Sequence, residues 1–241
     1  MTPVLIVAHG QPSDPGPAAK ELRQLAARVA QQLPDHRVSS ATLAEDGALA
    51  EQVAILGDGG RVYPLFMAGG WFTRVNLPSR LAKAGAIGWH VLEPFGCDPA
   101  VHQLGVDLVA EALPAANDAK VLIAAHGSFK SSAPSDVAQA VAAKLRAHLG
   151  KIPVHAAFID QAPQLAHATG YGSNAVCLPY FAAAGGHVLD DIPAALKSAG
   201  FAGKILPALG LDPRVPGIIA RAIFADQRVC VTNCRYTRQP A

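Results

Sequence analysis

The sequence predicts an α/β protein built as two similar halves, each a small parallel sheet of about four strands flanked by helices. Three observations carry this reading. The first is an internal repeat. "VLIVAHG" at 4–10 returns as "VLIAAHG" at 121–127, Gly69-Gly70 returns as Gly185-Gly186, and "GCDPAV" at 96–101 returns as "GLDPRV" at 210–215. The copies keep their order at offsets of 117, 116 and 114 positions, a period that suits a duplicated domain and not a solenoid. The second is that short continuous apolar runs alternate with stretches of helical periodicity, the pattern of strands covered on both faces. The third is composition. With 51% apolar and 16% charged residues among 241, the chain can bury a core and is unlike a disordered one.

The elements follow in order. "VLIVAH" is a buried first strand, and "PAAKELRQLAARVAQQL" at 17–33 places apolar residues at helical spacing. "RVSSATL", "RVYPLFM" and "IGWHVLEP" are the remaining strands of the first half. The second half repeats the scheme with "AKVLIAAH", "PVHAAFI", "NAVCLPY" and "GKILPA", and "SDVAQAVAAKLRAHL" at 135–149 is its first helix. The join falls near 113–120, "LPAANDAK", which carries turn chemistry. The expected organisation is a first half over 1–115, a second half over 116–225 and a tail over 226–241.

A formal charge of +2 gives no support to nucleic acid or an anionic membrane surface as a partner. No apolar run approaches the ~18 residues of a membrane span. The start, "MTPVLIVAHGQP", reads as a strand and not as a signal peptide. Four cysteines, Cys97, Cys177, Cys230 and Cys234, show no paired framework, and the expected location is the cytoplasm. The spacing Cys230-x-x-x-Cys234 suits a metal or a redox pair, but two thiols complete no structural zinc or iron–sulfur site, so a disordered or surface-docked tail is the expectation.

Ligands of open parallel sheets bind beyond the carboxyl ends of the strands. His9 and His126 end the first strand of each half, and the Gly-Gly phrases follow the third. With two halves, the cleft between them is the expected pocket. The second half places His126, Asp160 and His187 after three neighbouring strands. Two imidazoles and a carboxylate form a borderline donor set for cobalt, iron, nickel or zinc and leave positions open for chemistry. In the first half Trp71 stands in the place of the second histidine, and the counterpart of Asp160 is about Ala44, with Glu45 and Asp46 beside it. That half reads as having lost its site, with Trp71 presenting a flat face to a planar ligand. His36, His90, His102, His148, His155 and His167 read as ordinary polar residues.

At these positions the sequence resembles the class II tetrapyrrole chelatases. "VLIVAHGQPSDP", "VLIAAHGSFKSS" and above all "PYFAAAGGHVLDDIP" are most similar to the two-domain sirohydrochlorin chelatase branch, which inserts cobalt or iron on the way to cobalamin or siroheme. The resemblance covers nearly the whole chain. It implies two flavodoxin-like, chelatase-type halves, no tightly bound cofactor and no nucleotide. The partners it implies are a tetrapyrrole and a divalent metal, cobalt or iron with nickel a further candidate, taken as substrates. It implies His126 and His187 as metal-binding and proton-accepting residues. Asp160, where the family often has glutamate, is a ligand or relay. Asp191 reads as a helix N-cap or as a residue behind the ligands.

Histidine suits such a reaction because it binds a metal in neutral form and accepts protons near neutral pH. His9, Trp71, Arg74, Ser128 and Lys130 are the candidates for contacting the carboxylated ring, although Arg74 and Lys130 read equally well as solvated surface charges. Ser128 could cap a helix after "HG". The competing readings are a non-catalytic metal or tetrapyrrole carrier of the same fold, and an unrelated enzyme whose "HG" loops hold phosphate. The last is the weaker, since neither loop has a full Gly-rich phosphate signature. A homo-oligomer stays open.

Overall fold

The computed structural model describes residues 1–229 and 235–236. It contains two four-stranded parallel sheets flanked by helices. The first has the order β2-β1-β3-β4, from β1 (Thr2–Ala8), β2 (His36–Thr42), β3 (Arg61–Pro64) and β4 (His90–Val91). The second has the order β6-β5-β7-β8, from β5 (Lys120–Ala125), β6 (Val154–Phe158), β7 (Ala175–Pro179) and β8 (Lys204–Ile205). The two sheets repeat each other strand for strand. Val4 sits between Val38 and Arg61, and Val121 sits between Val154 and Val176.

Among the described residues, seven α-helices accompany the strands. They are α1 (Pro15–Ala30), α2 (Ala48–Leu56), α3 (Leu77–Lys83), α4 (Pro99–Ala112), α5 (Ala133–Leu149), α6 (Ile192–Ser198) and α7 (Val215–Ala225). Helix α1 opens on proline, whose missing N–H has no partner to lose in a first turn. It buries Ala19, Leu22, Leu25, Ala26 and Val29, one stripe at helical spacing. On one face of the first sheet, Leu49, Val53 and Leu56 of α2 and Leu77 and Leu81 of α3 pack against Leu5, Val7 and Val62. On one face of the second sheet, Ile192 and Leu196 of α6 pack with Leu165, Tyr171 and Phe181 against Leu122, Ala124 and Cys177. The central strands β1 and β5 are buried on both sides, which is why they read as unbroken apolar runs.

The compact units are not the two halves of the repeat. Helix α4 ends the first half in sequence, but it belongs to the unit of the second sheet and touches α5 and β7. Helix α7 ends the second half, but it belongs to the unit of the first sheet and touches α1 and β3. Each half therefore covers its partner's sheet with its last helix. The repeat in the sequence and the exchange of helices in the fold are separate facts. The Cys230 and Cys234 pair lies outside the described residues. Cys97 and Cys177 are buried. Among the described residues, no helix is long and apolar enough to cross a membrane.

Gly96 and Gly210, one anchor of the repeat, pin the loops that follow β3 and β7. Their N–H groups donate to the carbonyls of Phe66 (2.9 Å) and Phe181 (2.8 Å). A Cβ on Gly96 would lie 2.1 Å from the Met67 carbonyl oxygen, and one on Gly210 would lie 2.0 Å from that of Ala182. Only glycine permits that approach. Gly210→Ala is expected to cost about 1–3 kcal/mol, as overpacking does, and to lower the urea midpoint. Gly172→Ala, which meets open space, should leave the midpoint in place.

Burial also makes the fold sensitive to alkali. It pushes the Cys177 thiol up from 9.0 to about 12 and the Tyr171 phenol up from 10.0 to about 12. The folded chain then keeps protons that the unfolded chain releases, so this stability is intact below about pH 9 and is lost progressively toward pH 12. Urea midpoints should fall as pH rises through that window, and Cys177→Ala should flatten the fall.

Candidate functional site

In a sheet of order β6-β5-β7-β8 the chain leaves β5 for one neighbour and returns to the other, so the loops after β5 and β7 diverge and open a crevice. His126 is the first residue after β5. The next residue, Gly127, takes φ +74°, and a Cβ there would meet Gln161 Cγ at 2.6 Å and Phe158 Cβ at 2.9 Å. Both the turn and the close approach demand glycine. Asp160 follows β6, and its N–H donates to the His126 carbonyl at 2.9 Å, which ties the two loops together. His187 begins a π-helical turn, His187–Asp191, that runs into α6. Such turns are uncommon and recur at functional sites.

The two histidine rings meet edge to face, with centroids 4.5 Å apart and planes at 85°. Their Nε2 atoms are 3.1 Å apart. Each Nδ1 faces oxygen. Nδ1 of His126 is 3.1 Å from the Gly127 carbonyl and 3.3 Å from Asp160 Oδ2, and Nδ1 of His187 is 2.6 Å from Asp191 Oδ2. Those acceptors assign the ring hydrogens to Nδ1. Both Nε2 atoms then carry a lone pair, 3.1 Å apart, a spacing that repels unless a proton or a metal ion is shared by the two. With nitrogen–metal distances of ~2.1 Å, donors at this spacing would subtend ~95° at a shared ion, close to two adjacent octahedral positions. The side chains of His126 and His187 are 44% and 45% exposed, so the pair is open to a ligand arriving from solvent.

The other expected residues take several places. Asp160 stands behind His126, on the Nδ1 side, and not beside the two Nε2 atoms. Among the described residues, no group of three His, Cys, Asp or Glu side chains is arranged to hold a metal ion. The expected three-donor set thus reduces to two rings, each backed by a carboxylate. Asp191 makes no side-chain cap to α6, because its carboxylate is engaged by His187. Ser128 does not cap a helix either. Its hydroxyl accepts the Lys130 N–H at 3.1 Å, its own N–H donates to Gln161 at 2.7 Å, and α5 begins only at Ala133. Lys130 and its neighbour Phe129 are exposed.

In the first sheet, His9 follows β1 and Gly10 takes φ +75°. Glu45 is held by a hydrogen bond from Thr42 at 3.1 Å. The matching π-helical turn is Phe72–Asn76. The residue that opens it, and so corresponds to His187, is Phe72 and not Trp71. The Phe72 ring lies 4.8 Å from His9, as His187 lies from His126, and 6.1 Å from Phe66, as His187 lies 6.4 Å from Phe181. Aligning the phrases on their prolines, Pro78 and Pro193, gives this register, whereas aligning them on Gly-Gly shifts it by one. Trp71 stands edge-on to Phe72 and is 60% exposed, while Arg74 is half-buried on the same turn.

An open cavity of about 660 Å³ elsewhere in the second unit, lined by Arg146, His155 and Tyr171 among others, contains none of these site residues. Its polar groups serve the fold: Arg146 donates to the Val154 carbonyl and His155 meets the Tyr171 hydroxyl.

The carboxylate behind each ring makes a prediction. Asp191→Asn keeps an acceptor for His187 Nδ1 but removes the charge, and Asp191→Ala removes both. Loss of such partners typically weakens metal binding about 10–100-fold. Cobalt(II) titration should therefore rank wild type above Asp191→Asn and Asp191→Ala lowest, with the fold unchanged by circular dichroism.

Comparisons with known proteins bear on the family and the fold. No curated protein matches the chain. The solved structure of CbiX, the terminal enzyme for biosynthesis of siroheme in denitrifying bacteria, is 45% identical over 92% of this chain and 98% of its own, with a TM-score of 0.82. SirB from Bacillus subtilis with Fe3+ is 16% identical over 94% of this chain and 96% of its own, with a TM-score of 0.68. The sirohydrochlorin chelatase SirB from Bacillus subtilis subspecies spizizenii, in complex with cobalt, is 16% identical over 94% and 95%, with a TM-score of 0.64. At that identity the two SirB structures show the shared fold alone. The CbiX family model matches residues 3–112 and again 120–225, once per half of the repeat, and the chain belongs to the CbiX family.

Proposed function

We propose that this protein inserts a divalent metal, cobalt or iron, into sirohydrochlorin or a closely related carboxylated tetrapyrrole. The observation that carries the reading is the pair of Nε2 atoms 3.1 Å apart, with an acidic side chain behind each ring. Metal and ring are both substrates, and no tightly bound cofactor is called for. Nickel is a further candidate metal. The likeness to CbiX of denitrifying bacteria supports the choice of ring.

The chemistry balances on the two imidazoles. A divalent ion enters held by His126 and His187 through neutral nitrogen, which releases it more readily than thiolate would. The macrocycle gives up two N–H protons and gains the ion. The Nε2 lone pairs that the ion vacates are the groups positioned to take those protons. Asp160 and Asp191 offset the charge that the rings then carry and keep each ring oriented. The open access of the pair fits a large planar substrate. Phe129, 82% exposed three residues after His126, and Leu189, 64% exposed two residues after His187, give the second unit apolar surface beside the metal donors. Ser128 and Lys130 lie on the loop after His126, where the Lys130 ammonium and the Ser128 hydroxyl can receive peripheral carboxylates. His9, Trp71 and Arg74 are assigned to ring contact in the first unit. The reading places the reaction in the cytoplasm.

The test is an absorbance assay with sirohydrochlorin and cobalt(II), iron(II) or nickel(II), compared with the uncatalysed rate. Acceleration is expected with at least one metal. His126→Ala and His187→Ala should each abolish it, while His9→Ala should keep more activity. No acceleration with any metal would refute the enzyme reading and leave a carrier. If His9→Ala is the most damaging variant, the assignment to the second unit is wrong.

A further inference from the structure

The first unit repeats the frame of the metal-binding pair in detail. His9 follows β1 before a positive-φ glycine, as His126 follows β5. Phe72 opens a π-helical turn at the place of His187, and the ring-to-ring distances are 4.8 and 4.5 Å. Phe66 backs Phe72 as Phe181 backs His187. Four residues beyond Phe72 is Asn76, the counterpart of Asp191. Its Oδ1 is buried and has no hydrogen-bond partner. In the second unit, the atom at this place takes the Nδ1 hydrogen of His187.

A buried acceptor without a donor carries a free-energy cost, and native structures rarely leave one so. The acceptor that would orient an imidazole is thus present, whereas the residue opposite is phenylalanine, which has no hydrogen to give it. We infer that the first unit holds a latent divalent-metal site, lacking one donor, that the single exchange Phe72→His completes. The new ring would give its Nδ1 hydrogen to Asn76 Oδ1 and turn its Nε2 toward His9. The native chain, with phenylalanine there, loads one metal ion, in the second unit only. The inference rests on the proposed function for its view of the second pair as metal donors. Its readout is separate, because it needs neither a tetrapyrrole nor turnover.

The experiment is a cobalt(II) titration of the full chain, followed by visible absorption and by equilibrium dialysis, without tetrapyrrole. Wild type should bind one ion per chain, Phe72→His two, and His187→Ala none. Phe72→His in the His187→Ala background should regain one ion, and adding His9→Ala should remove it again. If the Phe72→His/His187→Ala protein is folded by circular dichroism and binds no more cobalt than His187→Ala, the latent site does not exist. If binding is regained but survives His9→Ala, the ion sits elsewhere and the inference fails equally. Should the imidazole variant not fold, Phe72→Cys puts a smaller donor at the same place, and its cobalt–thiolate absorption, present or absent, decides the matter. Failure of wild type alone to bind cobalt would count against the proposed function, while the gain on Phe72→His would still be read as a difference.

Discussion

The site depends on the placing of one strand. β5 lies between β6 and β7, so the loops leaving β5 and β7 part at their carboxyl ends and face each other across a crevice. His126 is fixed by the end of β5 and the glycine after it, and His187 by the turn that opens α6. No long-range contact has to be invented to bring the rings together, because adjacency in the sheet does it. Leu122 and Ala124 of β5 and Cys177 of β7 share one buried cluster, which holds together the strands that carry the two loops.

The carboxylates turn that proximity into chemistry. Two neutral imidazoles side by side would ordinarily choose opposite tautomers and hydrogen-bond to each other. Here the Gly127 carbonyl and the Asp191 carboxylate accept the two Nδ1 hydrogens, with Asp160 3.3 Å from Nδ1 of His126, and both Nε2 lone pairs are left free of them. In the proposed reaction the space at those lone pairs receives a cation. A proton and a divalent metal are alternatives there, and metallation of a pyrrolic ring exchanges those two species. In the first unit the same frame carries His9, Phe72 and Asn76, and the aromatic ring fills the place of the second imidazole. The duplication thus kept the architecture in both copies and the donor pair in one.

The exchange of helices bears on how such a duplicated chain holds together. α4 covers the sheet of the second unit and α7 that of the first, so neither half of the sequence carries the full cover of its own sheet. The alternation of strands and helices was legible in the chain, since apolar runs such as "VLIVA" and "VLIAA" require burial on both faces whichever helices supply it. The choice of covering helix was not, because an amphipathic stripe such as that of α7 fits any sheet face of similar shape.

By itself the sequence determined the duplicated α/β fold, the His-Gly turns and the identity of His126 and His187 as the pair to examine. Local chemistry dictates each of these: an apolar run must be buried, and a positive-φ turn closed against a neighbouring strand must be glycine. Tertiary structure alone decided what stands opposite what. It set Phe72 and not Trp71 across from His9, since the π-helical turn counts its register from the helix that follows and not from the glycines that precede it. It placed Asp160 and Asp191 behind the rings and left Asn76 Oδ1 without a donor. Side-chain direction depends on the turn that carries the residue, and spacing along the chain does not encode it.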